Sequence, residues 1–245
     1  MDLIALGVGD AFTARYHSTC AAIRSAGRTL LVDCPHPIRR VMADAGGHVD
    51  VGDLDGLVVT HNHADHVSGV EPLLFSAHFV LQRKLPVLAH PRVLDDLWTH
   101  HLKAGMHELL GPDGSRRELC FEDVAEPVPL SESEVTRFAG FSIAIRRTIH
   151  HIPTFALRID DGEASLGWSA DTAFDPDLIA WLARADRFVH ETNFGVHTPY
   201  AALAALPAPL RARMWLVHYP DSFDVEASVI EPLREGGVYA IRPVG

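Results

Sequence analysis

The chain has 245 residues, 47% apolar and 22% charged, which fits one large α/β domain and excludes disordered, fibrous and membrane-spanning classes, because no apolar run approaches the ~18 residues a transmembrane helix needs. Its 21 Lys and Arg against 32 Asp and Glu give a net charge of −11, which disfavours long-range attraction of nucleic acid or an anionic membrane. The 16 histidines stand out, because imidazole is the commonest metal ligand and a frequent proton carrier.

The opening Met1-Asp2-Leu3-Ile4-Ala5-Leu6-Gly7 lacks a basic region before its apolar residues, so no secretory leader is expected and a cytoplasmic location is. Short apolar runs bounded by Gly, Asp or Pro predict strands at 2–8, 19–25, 29–33, 56–60, 86–90, 141–148, 156–160, 165–169, 187–190, 214–217 and 238–241. Helical stretches fall at 37–45, 67–82, 93–103, 176–183, 199–205 and 224–233. Strands first and helices later predict α/β architecture with sheets covered by helices rather than one doubly wound sheet. The polar stretch 111–133 reads as a loop or lid, and no linker divides the chain, so a single domain over 1–245 is expected. Cys20, Cys34 and Cys120 are odd in number and lack CxxC spacing, which indicates neither a disulfide framework nor a thiolate zinc site.

Thr60-His61-Asn62-His63-Ala64-Asp65-His66 follows the predicted strand at 56–60 directly. In extended chain His61 and His63, two apart, can face one metal, while Asp65 and His66 at the next helix start face a second. Four nitrogen and oxygen ligands in six residues would be costly unless ions neutralised and ordered them.

This motif resembles the signature of the metallo-β-lactamase superfamily, which implies an αββα sandwich of two mixed sheets packed face to face and covered by helices. The resemblance continues at Thr148-Ile149-His150-His151-Ile152-Pro153, where register with Pro153 selects His150 rather than His151, at Ser169-Ala170-Asp171-Thr172, and at Leu216-Val217-His218-Tyr219. It implies His61, His63 and His150 on one metal, Asp65, His66 and His218 on the other, and Asp171 between them. Two divalent ions are therefore expected. A set without cysteine suits zinc, and Mn²⁺ or Fe is also compatible.

Ala185-Asp186-Arg187-Phe188-Val189-His190-Glu191-Thr192-Asn193-Phe194, followed by His197-Thr198-Pro199, is similar to the ribonuclease Z branch and its phosphodiesterase relatives, as are Leu6-Gly7-Val8-Gly9-Asp10 and Leu30-Leu31-Val32-Asp33-Cys34. The branch implies phosphodiester cleavage in which a histidine protonates the leaving alkoxide. Asp65, His190, Glu191 and His197 are thus the candidate catalytic residues, with His197 as donor, Glu191 orienting it and His190 as the alternative. The chain departs from the branch at Ala156-Leu157-Arg158, where Gly-Tyr-Arg is usual, and at Ala170, where Gly is usual. Only 21 residues lead from His150 to Asp171, too few for the basic tRNA-gripping arm that typical bacterial ribonuclease Z inserts there. A small phosphodiester, such as a cyclic nucleotide, nucleotide diester or cyclic sugar phosphate, is the expected substrate, and no stable nucleic-acid or membrane partner is expected. The branch also implies a homodimer. A ribonuclease Z-type endonuclease, or a lactonase or thioesterase on the same fold, are the alternatives. The histidine-rich segment 98–107 reads either as a lid over the site or as helix surface.

Overall fold

The computed structural model describes residues 1–243; the last two residues of the expected 1–245 domain lie outside the described residues. Two seven-stranded sheets form the centre. The first runs Val238–Ala240, Asp2–Gly7, Cys20–Ser25, Arg28–Val32, Gly56–Val58, Leu85–Ala89 and Ala125–Pro129, antiparallel as far as Arg28–Val32 and parallel beyond it. The second runs Glu231–Pro232, Met214–Val217, Arg187–Glu191, Ser165–Trp168, Phe155–Asp160, Phe141–Arg147 and Thr136–Phe138, parallel over its first four strands and antiparallel over the rest.

Strand side chains alternate between faces, and here both faces are covered, which is why the strands read as continuous apolar runs. Val189, Trp215 and Val217 join the large core shared with the first sheet. Their neighbours Phe188, Met214 and Leu216 turn outward to a second core against Leu178, Ile179, Leu182 and Leu203. The helix Pro176–Leu182 supplies three of these and is started by Asp175, whose carboxylate accepts from the amides of Asp177 and Leu178 at 2.9 and 3.2 Å. This is the αββα sandwich of the metallo-β-lactamase fold.

Three expectations need correction. The stretch 224–233 forms no helix, because Asp224 closes a turn onto the amides of Glu226 and Ala227, the Val229 amide donates to the Tyr200 hydroxyl, and Pro232 has no amide hydrogen to continue a helix. Much of 111–133 is ordered structure: Arg116–Glu118 pairs with Glu108–Leu110, Phe121–Val124 is helical, and Ala125–Pro129 completes the first sheet. The long helix over 67–82 is divided into Ala64–Val67, Val70–Phe75 and a π-helical turn at Ser76–Val80. Gly69 separates the first two because its α-carbon packs on the Pro35 carbonyl, where a β-carbon would clash, while its amide donates to Cys34 O at 2.7 Å.

Candidate metal centre

Five of the seven predicted ligands lie just past the carboxyl end of a strand, and Asp65 and His66 lie in the short helix Ala64–Val67 that follows one of them. His61 and His63 follow Gly56–Val58, His150 follows Phe141–Arg147, Asp171 follows Ser165–Trp168, and His218 follows Met214–Val217. The hydrogen-bonding pattern makes these strand ends share one edge of each sheet. The two edges are tied together by Phe155 N donating to Thr60 O at 3.2 Å and Tyr219 N donating to Val8 O at 3.3 Å. Loops at carboxyl strand ends are where layered α/β proteins place their sites.

The structure brings His61, His63, His150 and Asp171 into one cluster, and Asp65, His66 and His218 into another, with the donor atoms of each within 4.8 Å of one another. In the first, His63 Nδ1 lies 3.2 Å from His61 Nε2 and 3.1 Å from His150 Nε2. Asp171 Oδ2 is 3.6 Å from His61 Nε2 and 3.7 Å from His150 Nε2. Tetrahedral ligands about 2.0–2.1 Å from a zinc ion stand roughly 3.4 Å apart, so this spacing fits one ion. In the second, His66 Nε2 lies 3.2 Å from Asp65 Oδ2 and 3.4 Å from Asp171 Oδ1, and His218 Nε2 lies 3.5 Å from Asp171 Oδ2. The two oxygens of Asp171 therefore reach both clusters. His151 is exposed, with its ring 6.2 Å from that of His63.

Hydrogen bonds behind the histidines aim their lone pairs inward. The Thr60 hydroxyl donates to Asp33 Oδ2 at 2.8 Å, so it accepts from His61 Nδ1 at 2.9 Å. The Thr19 hydroxyl donates to Gly9 O at 2.9 Å and accepts from His218 Nδ1 at 3.1 Å. His66 Nδ1 donates to Asp33 Oδ2 at 2.9 Å. In all three rings the proton is thus held on Nδ1 and Nε2 is left as a donor to a cation. Among the described residues, His66 Nε2 and Asp65 Oδ2 are buried without a hydrogen-bond partner. Burial and the surrounding histidines push His61 well below the ordinary imidazole range, and burial takes His218 to about 4 and His150 to about 3. Imidazoles converging on carboxylates, with His61, His150 and His218 held neutral by burial, form a donor set that fits divalent cations.

Sequence reasoning passed over Asp33, Thr60 and Thr19 as site residues. Asp33 is fully buried, accepts from both the amide and the hydroxyl of Thr60, and holds His66. Asp33, Ala170 and His218 all have positive φ, at 59°, 51° and 58°, so three non-glycine residues accept left-handed backbone strain around the cluster. Ala170 does so where the branch usually carries glycine.

Glu191 and His197 sit beside the second cluster. Glu191 Oε1 accepts from His197 Nδ1 at 3.0 Å and from Thr172 N at 2.9 Å, and His197 Nδ1 is 4.0 Å from Asp171 Oδ2. Burial opposes the imidazolium of His197, but the Glu191 hydrogen bond and the charges of Glu191 and Asp171 outweigh it and hold its pKa above the ordinary histidine range. His190 is not brought to the cluster. It shares the outward face of its strand with Phe188, opposite Glu191, and its Nδ1 donates to Glu191 O at 2.7 Å, while burial lowers it to about 4.

Two facing sheets with this cluster at their shared edge define a metal-dependent hydrolase of the metallo-β-lactamase fold. Solved structures agree on the fold: YhfI from Bacillus subtilis superimposes with a TM-score of 0.77 at 19% identity, covering 97% of this chain and 98% of that one. The short form of human tRNase Z gives 0.72 at 20% identity, with both chains fully covered. The family model of the anti-Pycsar protein Apyc1 matches residues 1–234, and the chain belongs to that family. Curated relatives include the anti-Pycsar protein Apyc1 of Paenibacillus sp. (strain J14), 31% identical over 96% of this chain and 97% of the relative. Another, from Bacillus phage 010DV004, is 29% identical over 98% of each. Among the described residues no helix is long and apolar enough to cross a membrane.

Proposed function

We propose that the protein is a dinuclear metal-dependent phosphodiesterase acting on a small cyclic nucleotide or a related small diester, with two zinc ions held by His61, His63, His150, Asp171, Asp65, His66 and His218. The observation that carries this reading is the Glu191–His197 pair at the edge of the cluster. Bound there, the two ions would supply Lewis-acid activation of the phosphoryl group and of the attacking water. The remaining work falls to side chains. His197 Nδ1 is committed to Glu191, so its Nε2 proton is free to pass to the departing alkoxide, and the Glu191 carboxylate favours the protonated ring. Glu191 is itself locked by the Thr172 amide and leans on a buried site, so the imidazolium is both oriented and charge-compensated. A thioester, whose thiolate leaves without protonation, would require no such donor.

A small substrate is favoured because the chain between His150 and Asp171 is consumed by the strands Phe155–Asp160 and Ser165–Trp168, leaving no arm for tRNA. The net charge of −11 acts in the same direction. Membership of the anti-Pycsar Apyc1 family, with phage-encoded relatives, also accords with a small signalling diester rather than a structural RNA. The test is His197→Ala assayed on two diesters. Hydrolysis of an alkyl-alcohol diester should fall about 10²–10⁴-fold, whereas a p-nitrophenyl diester, whose phenolate leaves unprotonated, should lose far less and metal content should hold. Equal losses on both would remove His197 as the donor and with it the argument for phosphodiester chemistry.

A further inference from the structure

A groove borders the first metal cluster at His63, which forms part of its wall, and has a volume of about 480 Å³. Its opposite wall comes from the helix Pro91–Asp96 and the π-helical turn Leu97–Leu102 that continues it, which includes the first part of the histidine-rich segment 98–107 that the sequence reads either as a lid or as helix surface. The structure makes it neither a cover nor a remote surface: His100 and His101 stand at the groove's margin. π-helical turns recur at functional sites because they displace side chains from ordinary helical register. The two walls are joined at Asn62, whose Nδ2 donates to Val93 O at 3.0 Å.

The lining decides what the groove can hold. Val93, Ile152 and Pro153 give it apolar faces, and the guanidinium of Arg92 and the rings of His100 and His101 add flat, polar-edged groups. It is a poor phosphate cradle: Arg92 Nε is already bound to Asp96 Oδ2 at 2.9 Å, His100 Nε2 is 3.8 Å from Asp96 Oδ1, and the Asp96 carboxylate would repel an anion. A planar heterocycle suits it, since bases stack on imidazole, guanidinium and apolar faces with little dependence on sequence. We infer that this groove is the base-binding subsite of the enzyme and that His100, His101 and Arg92 with Ile152 and Pro153 set its substrate preference. The inference rests on the phosphodiesterase reading above: with the phosphorus at the cluster, a substituent on the His63 side extends into the groove.

The experiment compares 3′,5′-cyclic nucleotides with ribose 3′,5′-cyclic phosphate lacking a base, using metal-loaded wild type, His101→Ala and the double variant His100→Ala/His101→Ala. Both side chains are exposed, so folding is not at stake. The kcat/KM ratio of nucleotide to baseless substrate should fall about five- to a hundredfold, the range expected for losing a stacking side chain, chiefly through KM, with metal content constant. An unchanged ratio, with wild type active on both substrates, would overturn the base subsite and leave the phosphodiesterase reading standing. Inactivity of wild type on both would overturn that reading and the subsite together. Tighter use of a baseless substrate bearing a second phosphate, weakened by the same variants, would make the groove an anion site and refute a base.

Discussion

Asp33→Asn isolates the contribution of a carboxylate that touches no expected ligand except His66. Asp33 has φ of 59° and is fully buried; asparagine tolerates left-handed backbone about as well as aspartate and matches its volume, so strain and packing are conserved. One side-chain oxygen can still accept from the Thr60 amide at 2.8 Å. The NH₂ group then replaces Oδ2, which receives the Thr60 hydroxyl at 2.8 Å and His66 Nδ1 at 2.9 Å. The hydroxyl can turn and accept, but His66 Nδ1 faces another donor. Loss of such a partner behind a ligating histidine typically weakens metal binding 10–100-fold, or about 1.4–2.7 kcal/mol, and the unsatisfied buried donor costs about 1–3 kcal/mol of apo stability. Chelator competition on stepwise-loaded protein should show one of two sites weakened by that factor, and urea unfolding of the apoprotein should show the stability loss. Unchanged affinity at both sites would refute the claim that Asp33 fixes the tautomer of His66.

Three further outcomes follow from other parts of the molecule. Stripping metal with a chelator should lower Tm by about 8–16 °C for a site held at a thousand times its Kd, since such occupancy is worth about 4 kcal/mol and a domain of this size shifts about 2–4 °C per kcal/mol; identical melting curves with and without metal would contradict a dinuclear centre. Gly69→Ala should destabilise by about 1–3 kcal/mol in urea titrations, because the added methyl meets the Pro35 carbonyl rather than a side chain that can turn away, and a neutral result would show that the loop holding Asp33 is looser than its contacts indicate. Asp161 links the two sheets at the end remote from the site: burial opposes its charge, but the Ser25 hydroxyl at 2.6 Å and the amides of Ala164 and Glu163 hold its pKa at about 2. A folded pKa below the unfolded one contributes stability that is complete above about pH 4 and lost as pH falls toward 2, so Asp161→Asn should reduce Tm at pH 6 and progressively less toward pH 2.5; an equal deficit at both would refute an ionic origin.

The local chemistry was legible in the chain because it is written in short contiguous runs. The strands buried on both faces announce themselves as apolar segments, and His61 through His66 compress four donors into six residues, a spacing with little other use. Helix 176–183 was readable from Asp175-Pro176, since cap and proline act locally. Elements stabilised by partners distant in sequence were not: Ala125–Pro129 carries two prolines in five residues and becomes a strand only because Leu85–Ala89 pairs with it, while 224–233 is held in turns by Tyr200 on another segment. The same division runs through the site. Sequence could name His190 and His197 as rival donors, but the two-residue alternation of a strand becomes a choice of face only when the sheet has a definite inside, and that choice turns Glu191 toward the cluster and His190 away from it. Asp33, 33 residues from His66, acquires its role solely because two parallel strands end side by side. Residue type fixed which atoms could bind a cation, and tertiary structure decided which of them converge, since hydrogen bonds and burial act over ångströms and not over sequence separation.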